Sequence, residues 1–473
     1  MRKKILLFLF LSVLIFTRFY NVENTARFTR DESYDIVKLH QYWIEKKVTL
    51  VGAIDYTGSI VYSSFFYYTI MPFAVIGNFE PQSTVYGVAF YGIITAIIIL
   101  LITSKVNKKY LFWAAILSIV WFPLVQSSRW SWNPHVVPLW MSLGILSYFK
   151  KKNIFLFLSG VFFGLAFHIH YISFISTATF LALVTLINLW KRKYWQASLP
   201  ILGFVLLIIP YAIFDLRHPP GLFFTGYLKR NLVSQGASNE LTNFFTSFIT
   251  NIQNSSFYLT QSQILSKLTL VLLTALVYLD FRKKAYSNFI YFLPAITQTM
   301  IISFLPSFGN RYFLPSLIFL FIYLILPRKN FGRIAAKGVI LVFILGGFLS
   351  IKSVLTKPIL EPGPRVIADA TNHIKDIVSQ NELKNINVAV LASPDPDPIG
   401  LTYRDILLTK DVEVLPASQY SLTDNLFVMT TSDEEDVRKD AANIMDRFRK
   451  GKLSSEYDIN KSKWRVYLFE RGI

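Results

Sequence analysis

Val61 to Gly77 reads VYSSFFYYTIMPFAVIG, an apolar run crowded with Tyr and Phe and interrupted by Pro72. The topology of the chain turns on whether this run crosses a membrane. Apolar segments recur from end to end of the 473 residues, 53% of which are hydrophobic and 16% aromatic. That composition, with a mean hydropathy of +0.42, belongs to a multi-span membrane protein. Basic clusters punctuate the segments: Arg2 to Lys4, Lys105 with Lys108 and Lys109, Lys150 to Lys152, Lys191 to Lys193, Arg282 to Lys284, and Arg328 to Lys337. Cytoplasmic loops carry such an excess of Lys and Arg. Placing all six clusters inside demands an even number of crossings between neighbours.

Four intervals comply at once. They hold Tyr110–Gln126 with Pro134–Phe149, Ile154–Phe167 with Ile172–Trp190, Ser198–Ile213 with Gln263–Phe281, and Tyr286–Leu305 with Tyr312–Leu326. The first interval holds Ile5–Tyr20, Val61–Gly77 and Ser83–Thr103, one segment too many. Ile5–Tyr20 has the look of a signal-peptide core, yet the TRFYNVEN that follows offers no small-residue cleavage site, so it reads as an uncleaved helix. The Val61–Gly77 run, short and aromatic, suits a helix lying in the interface. Eleven crossings then remain, the last at about Gly338–Val354. The protein then sits in the cytoplasmic membrane with its N-terminus on the inner side and the residues after the last span outside. The expected architecture is a mainly α-helical polytopic domain with outer juxtamembrane helices (residues 1–356) and a small α/β domain (residues 357–473).

The formal charge of +19 raises nucleic acid as a partner, and its distribution excludes it. Residues 361–473 hold 15 Lys+Arg against 19 Asp+Glu, which leaves 33 basic and 10 acidic residues in the membrane part. Basic residues gathered between hydrophobic spans are a topology signal and form no groove for DNA. The absence of Cys removes disulfide and thiol chemistry. In the C-terminal part NVAVLA, VEVLP, LFVMT and WRVYLFE predict strands, and Ala368–Ser379 and Asp433–Phe448 predict helices. It holds no Gly-rich phosphate loop and no His/Cys metal spacing.

With all six basic clusters inside, the unusual polar residues gather on the outer side: FTRDESYDI (28–36), RWSWNPH (129–135), HIHY (168–171), FDLRHPP (214–220) and SFGNRYF (307–313). An enzyme working on a lipid-linked substrate needs its polar groups on one face near headgroup depth. In the first stretch, Thr29 followed by Glu32 fits a capping box that starts a surface helix. The alternative reading makes Asp31 a general base, with Glu32 beside it and Tyr34 as a substrate contact. Adjacent acids also suit a divalent cation, though two or three carboxylates do not identify one. Arg217, His218 and Lys229, followed by Arg311 and Tyr312, read either as lipid-headgroup contacts or as a phosphate clamp, for which Arg offers a planar donor fork. Arg129, Trp130, Asn133 and His135 are either interface anchors or a shelf for a sugar ring. His168 and His170 read either as local hydrogen-bonding groups at a helix end or as substrate contacts.

The acids just after the first helix, the aromatic SSFFYYTIMPF, the FDLRH loop and the NRYFLP run together resemble the GT-C glycosyltransferases. Among these the sequence looks most like glycosyltransferase family 39, the protein O-mannosyltransferase and aminoarabinose-transferase group. The resemblance covers roughly Met1 to Pro327. It implies a polyprenyl-phosphate monosaccharide as donor, a protein, lipid or glycan as acceptor, and inversion at the anomeric carbon. It also implies Asp31 as the base, Glu32 orienting the acceptor or assisting a metal, and Arg217, His218 and Arg311 on the donor phosphate. Asn133 departs from the family, many members of which carry an acid there, and the β-trefoil insertion of the eukaryotic mannosyltransferases is absent. A secondary carrier, a non-catalytic scaffold, and a ligase or polymerase of lipid-linked glycans are the competing readings.

Overall fold

Trp121 sits at an extended break in what the sequence predicts as one continuous span, Tyr110–Gln126. Interruptions of this kind recur along the chain. The computed structural model describes residues 2–54, 61–219, 221–223, 240–304, 309–391, 397–440, 444–459 and 462–471. In chain order the helices are α1 (Arg2–Phe19), α2 (Val22–Thr25), α3 (Arg30–Glu45), α4 (Phe65–Ile76), α5 (Pro81–Val106), α6 (Leu111–Val120), α7 (Phe122–Ser127), α8 (Val137–Tyr148), α9 (Asn153–Ile169), α10 (Ser173–Trp190) and α11 (Tyr194–Arg217). They continue as α12 (Glu240–Thr260), α13 (Gln263–Arg282), α14 (Phe289–Ile302), α15 (Leu317–Ile325), α16 (Asn330–Thr356), α17 (Pro364–Gln380), α18 (Leu401–Leu408) and α19 (Glu434–Lys439). Among the described residues six helices are long and apolar enough to cross a membrane. The other expected crossings are shorter or broken, as at Trp121, whose indole Nε1 donates to the Leu259 carbonyl at 3.2 Å.

The Val61–Gly77 run begins as a strand, Val61–Ser63, antiparallel to Val51–Ile54, and continues as α4. At 12 residues α4 is about 18 Å long, short of a hydrocarbon core of about 30 Å. Helix α12 falls between the expected spans Ser198–Ile213 and Gln263–Phe281, a stretch of nearly fifty residues in which the sequence predicts only loop. Its Thr, Asn, Gln and Ser residues interleave with Phe and Ile, which lowers its hydropathy below that of a span.

The residues form two compact units, one of Met1–Tyr20, Thr49–Thr69 and Val88–Thr356, the other of Asn21–Val48, Ile70–Gly87 and Lys357–Ile473. The first is a helical bundle packed through close backbone approach. A Cβ on Gly160 of α9 would lie 1.9 Å from the Pro200 carbonyl oxygen of α11, and one on Gly203 would lie 2.1 Å from that of Phe157. Small residues at such crossings let helices gain dispersion contacts that lipid would otherwise supply. Gly346 and Gly347 do the same for α16 against the Thr260 and Val120 carbonyls. A buried ion pair closes one end of the bundle. Arg328 reaches Asp280 at 2.7 Å, with both side chains about 5% exposed, and Asn288 adds a hydrogen bond at 3.1 Å.

The second unit is built on a four-stranded sheet, Ile386–Val390, Asn425–Thr430, Arg465–Glu470 and Lys452–Asp458 in spatial order. The first pair is parallel and the others antiparallel. Its core includes Ala389, Leu426, Val428, Met445, Phe448, Tyr467 and Phe469. The predicted strand VEVLP is instead extended chain, tied to Ile386 by the Leu415 amide at 3.0 Å and ended by Pro416. The strand Lys452–Asp458 alternates exposed and half-buried residues, which left it without an apolar signal. Among its described residues, the predicted helix Asp433–Phe448 is α-helical over Glu434–Lys439. Residues near the N-terminus belong to this unit too. Helix α3 lies against α18, with Ile36 and Leu39 buried.

Candidate functional site

Four loops of the first unit bring aromatic and cationic side chains together. The turn after α7 places Trp130 and Trp132 face to face, ring centroids 4.6 Å apart and planes 13° apart. His135 meets both rings edge-on, at 4.7 and 5.6 Å. Its Nδ1 lies 2.9 Å from the Trp130 carbonyl, which assigns the Nδ1 proton and leaves Nε2 as an acceptor in the neutral ring. Arg311 stacks over this shelf, its guanidinium carbon 4.7 Å from the Trp132 centroid and 4.6 Å from that of Tyr312. One Arg311 nitrogen donates to the Tyr312 hydroxyl at 3.0 Å, so that hydroxyl keeps its own proton for another acceptor. Gly309 makes room, since a Cβ there would come 3.1 Å from the guanidinium. Among the described residues no carboxylate pairs with Arg311, which is half-buried.

His170 completes the cluster, 6.1 Å from the Tyr312 ring and 5.5 Å from that of Tyr62. Its Nδ1 accepts from the Ile172 amide at 3.3 Å, which puts the proton on Nε2. Burial, with the charge of Arg311 and the neighbouring His135, lowers its pKa to about 3, so the ring is a neutral donor near pH 7. Asn133 is buried in the same turn, and its amide makes no hydrogen bond among the described residues.

Other candidates stand elsewhere. Arg129 is buried and donates to the carbonyls of Thr17, Arg18 and Tyr20 at 2.9 to 3.2 Å, so it fastens the end of α1. Its burial lowers its pKa to about 10. His168 Nε2 donates to the Leu207 carbonyl at 2.8 Å, and the ring lies against that of Tyr211. Arg217 and His218 are exposed at the end of α11 and share no ring contact or hydrogen bond with the Arg311 cluster among the described residues. His218 folds back on Phe214, Nδ1 2.9 Å from its carbonyl. Lys229 lies outside the described residues.

In the second unit the acids separate by role. Glu32 is buried and its carboxylate reaches back to the Thr29 amide and hydroxyl, each at 2.7 Å, as a capping box requires. Asp35 is buried on the same helix. Asp31 alone of the three is exposed, and it has no hydrogen-bonding or ionic partner among the described residues. Tyr34 is half-buried with Lys38 over its ring. Among the described residues no group of three or more His, Asp or Glu side chains is arranged to hold a metal ion.

The fold is that of ArnT. ArnT from Cupriavidus metallidurans bound to undecaprenyl phosphate matches with a TM-score of 0.57 and 12% identity, over 98% of this chain and 97% of that one. Its apo structure matches at 0.56 and 12% identity, over 99% and 98%. No protein-family model matches this sequence, and no curated protein does. Within the ArnT fold two residues escaped sequence reasoning. Gln298 of α14 is fully buried and bonds the Ile172 and Tyr312 carbonyls and the Ser176 amide at 2.9 to 3.1 Å, which fixes the Tyr312 loop against α10. Tyr62 stacks on Tyr171, whose hydroxyl donates to the Val61 carbonyl at 2.5 Å. A lone Gln inside an apolar helix was the available signal for the first. The second carried none beyond the aromatic richness of its run.

Proposed function

We propose that this protein is a membrane glycosyltransferase that moves a monosaccharide from a polyprenyl-phosphate-linked donor to an acceptor at the outer face of the cytoplasmic membrane. The observation that carries the reading is Arg311, a half-buried guanidinium held between Trp132 and Tyr312 with no carboxylate partner among the described residues. Such a cation on an aromatic shelf suits an anionic headgroup that carries a ring. The ArnT structure, which was solved with undecaprenyl phosphate, supports a phosphate-bearing lipid as ligand.

On the donor side Arg311 and the Tyr312 hydroxyl bind phosphate oxygens, while Trp130 and Trp132 offer flat faces to the sugar. His170 Nε2–H and the Asn133 amide supply neutral polar contacts. The bond between the anomeric carbon and the phosphate oxygen breaks with its electron pair going to phosphate, whose growing charge Arg311 stabilises. By the family resemblance, Asp31 is assigned as the base that takes the proton from the attacking hydroxyl or amine. Attack opposite the departing phosphate inverts the anomeric configuration and releases polyprenyl phosphate. Arg217 and His218 are assigned to the same anionic ligand by resemblance alone.

The test is transfer from labelled undecaprenyl-phosphate sugars by the purified protein in lipid. We expect Asp31→Asn to lower kcat by about 10²- to 10⁴-fold, the usual worth of a general base. Undiminished transfer in that variant removes Asp31 from the mechanism. Uptake of free sugar without turnover of lipid donor replaces the reading with a carrier.

A further inference from the structure

We propose that Asp405 is a positioning residue for Asp31, holding helix α3 through Ser33 so that the sheet of the second unit sets where the base stands. The proposal rests on the reading of Asp31 as the proton acceptor. The capping box of Thr29 and Glu32 fixes how α3 begins, but as a local device it leaves the placement of the helix open. Placement comes from residues far along the chain. The Ser33 hydroxyl donates to Asp405 Oδ2 at 2.7 Å, across 372 positions of sequence. Ser33 stands two residues after Asp31, so any turn or slide of the helix that this bond resists is one that would carry Asp31 with it.

Asp405 is itself rigidly held because its neighbour Arg404 points into the domain. Arg404 donates to the carbonyls of Ile399, Leu415 and Val388 at 2.7, 2.5 and 3.1 Å, to the Tyr420 hydroxyl at 3.0 Å, and to the Asn387 side chain. Adjacent residues of α18 thus act in opposite directions, Arg404 into the first strand of the sheet and Asp405 onto α3. The path from that strand to Asp31 runs through the Arg404 hydrogen bonds, one residue step of α18, the Asp405–Ser33 bond and two residues of α3. An ionised acceptor makes the last bond charge-assisted and short. Two further ties hold the segment before α3. Glu23 accepts from Arg365 at 2.5 Å and from the Tyr86 hydroxyl at 2.6 Å, and the Ile359 amide donates to the Thr25 carbonyl at 3.0 Å. Burial raises the pKa of Asp405, opposed by the Ser33 hydroxyl and by the charge of Arg30.

The experiment compares wild type, Ser33→Ala, Ser33→Thr, Asp405→Ala and the double variant Ser33→Ala/Asp405→Ala, as full chains in lipid. Two quantities are read: amide hydrogen exchange over residues 30–45, and kcat with donor KM for undecaprenyl-phosphate sugar. Loss of one charge-assisted bond predicts kcat about tenfold lower in Ser33→Ala, with donor KM unchanged within about twofold, and faster exchange in α3. Ser33→Thr keeps the hydroxyl and restores both. The double variant is no worse than either single one, because the pair acts as a unit. Unchanged exchange in both single variants overturns the tie, and faster exchange with unchanged kcat overturns its use in positioning Asp31. If wild type shows no transfer, the glycosyltransferase reading fails and the role at Asp31 with it, while the exchange result still decides the tie.

Discussion

Arg311 and His170 show how one cluster holds two kinds of polar group with opposite behaviour. The guanidinium keeps its charge and gains from both ring faces, a contribution of about 0.5–2 kcal/mol at a partly desolvated site. Lysine keeps the charge but loses the planar fork and the stacking. Arg311→Lys is therefore expected to raise donor KM about tenfold with a smaller change in kcat, measured with labelled lipid donor. His170 is the reverse case. Its unfolded pKa of 6.5 falls to about 3 on burial, so between those values the unfolded chain binds more protons than the folded one. Its contribution to stability is complete above about pH 6.5 and is lost as pH falls toward 3. Thermal unfolding of wild type and His170→Asn at pH 7 and pH 5 checks this. The variant should lose less of its melting temperature on acidification. Most of this cluster was legible in the sequence, because Trp, Arg and His are conspicuous at the ends of apolar runs. Arg129 was legible only as a name. Its carbonyl acceptors Thr17, Arg18 and Tyr20 lie over a hundred residues away, and no local pattern announces a buried fastener.

At the scale of elements, helix crossings and buried polar ties decide what changes the bundle tolerates. The α9–α11 crossing leaves no room for a side chain at Gly160, so Gly160→Leu forces the helices apart and should cost about 1–3 kcal/mol or more. The Asp280–Arg328 pair makes a sharper case. Removing one partner strands a buried charge, and Asp280→Ala is expected to cost about 3–5 kcal/mol, read from loss of the folded fraction in detergent. Gln298→Leu leaves the Tyr312 carbonyl and the Ser176 amide without their partners and should cost about 1–3 kcal/mol for each group, with activity falling as the Tyr312 loop loosens. Most helices were predictable because apolar length is a strong signal. The break at Trp121, the strand Lys452–Asp458 and helix α12 were not, because each depends on a partner segment that its own sequence does not reveal.

For the whole molecule, the division of the chain departs from the order of the sequence. Composition shifts near residue 357 and suggests a C-terminal module that begins there, yet the unit that holds those residues also takes in Asn21–Val48 and Ile70–Gly87. Lys410 meets Glu80 at 2.5 Å, and Arg365 meets Glu23, so acids read early are balanced by bases read late. A chain ending after Thr356 is expected to show faster hydrogen exchange in α3 than the full chain, because Asp405, Arg365 and α18 are all missing. The tie between Ser33 and Asp405 also sets an order in time. During synthesis α3 emerges 372 residues ahead of its holder, so the helix that carries Asp31 waits through the making of the apolar helices between them before it acquires its final place. A chain that stops short of Asp405 then carries its acid on a helix without that tie, and competence for the proposed chemistry waits for it.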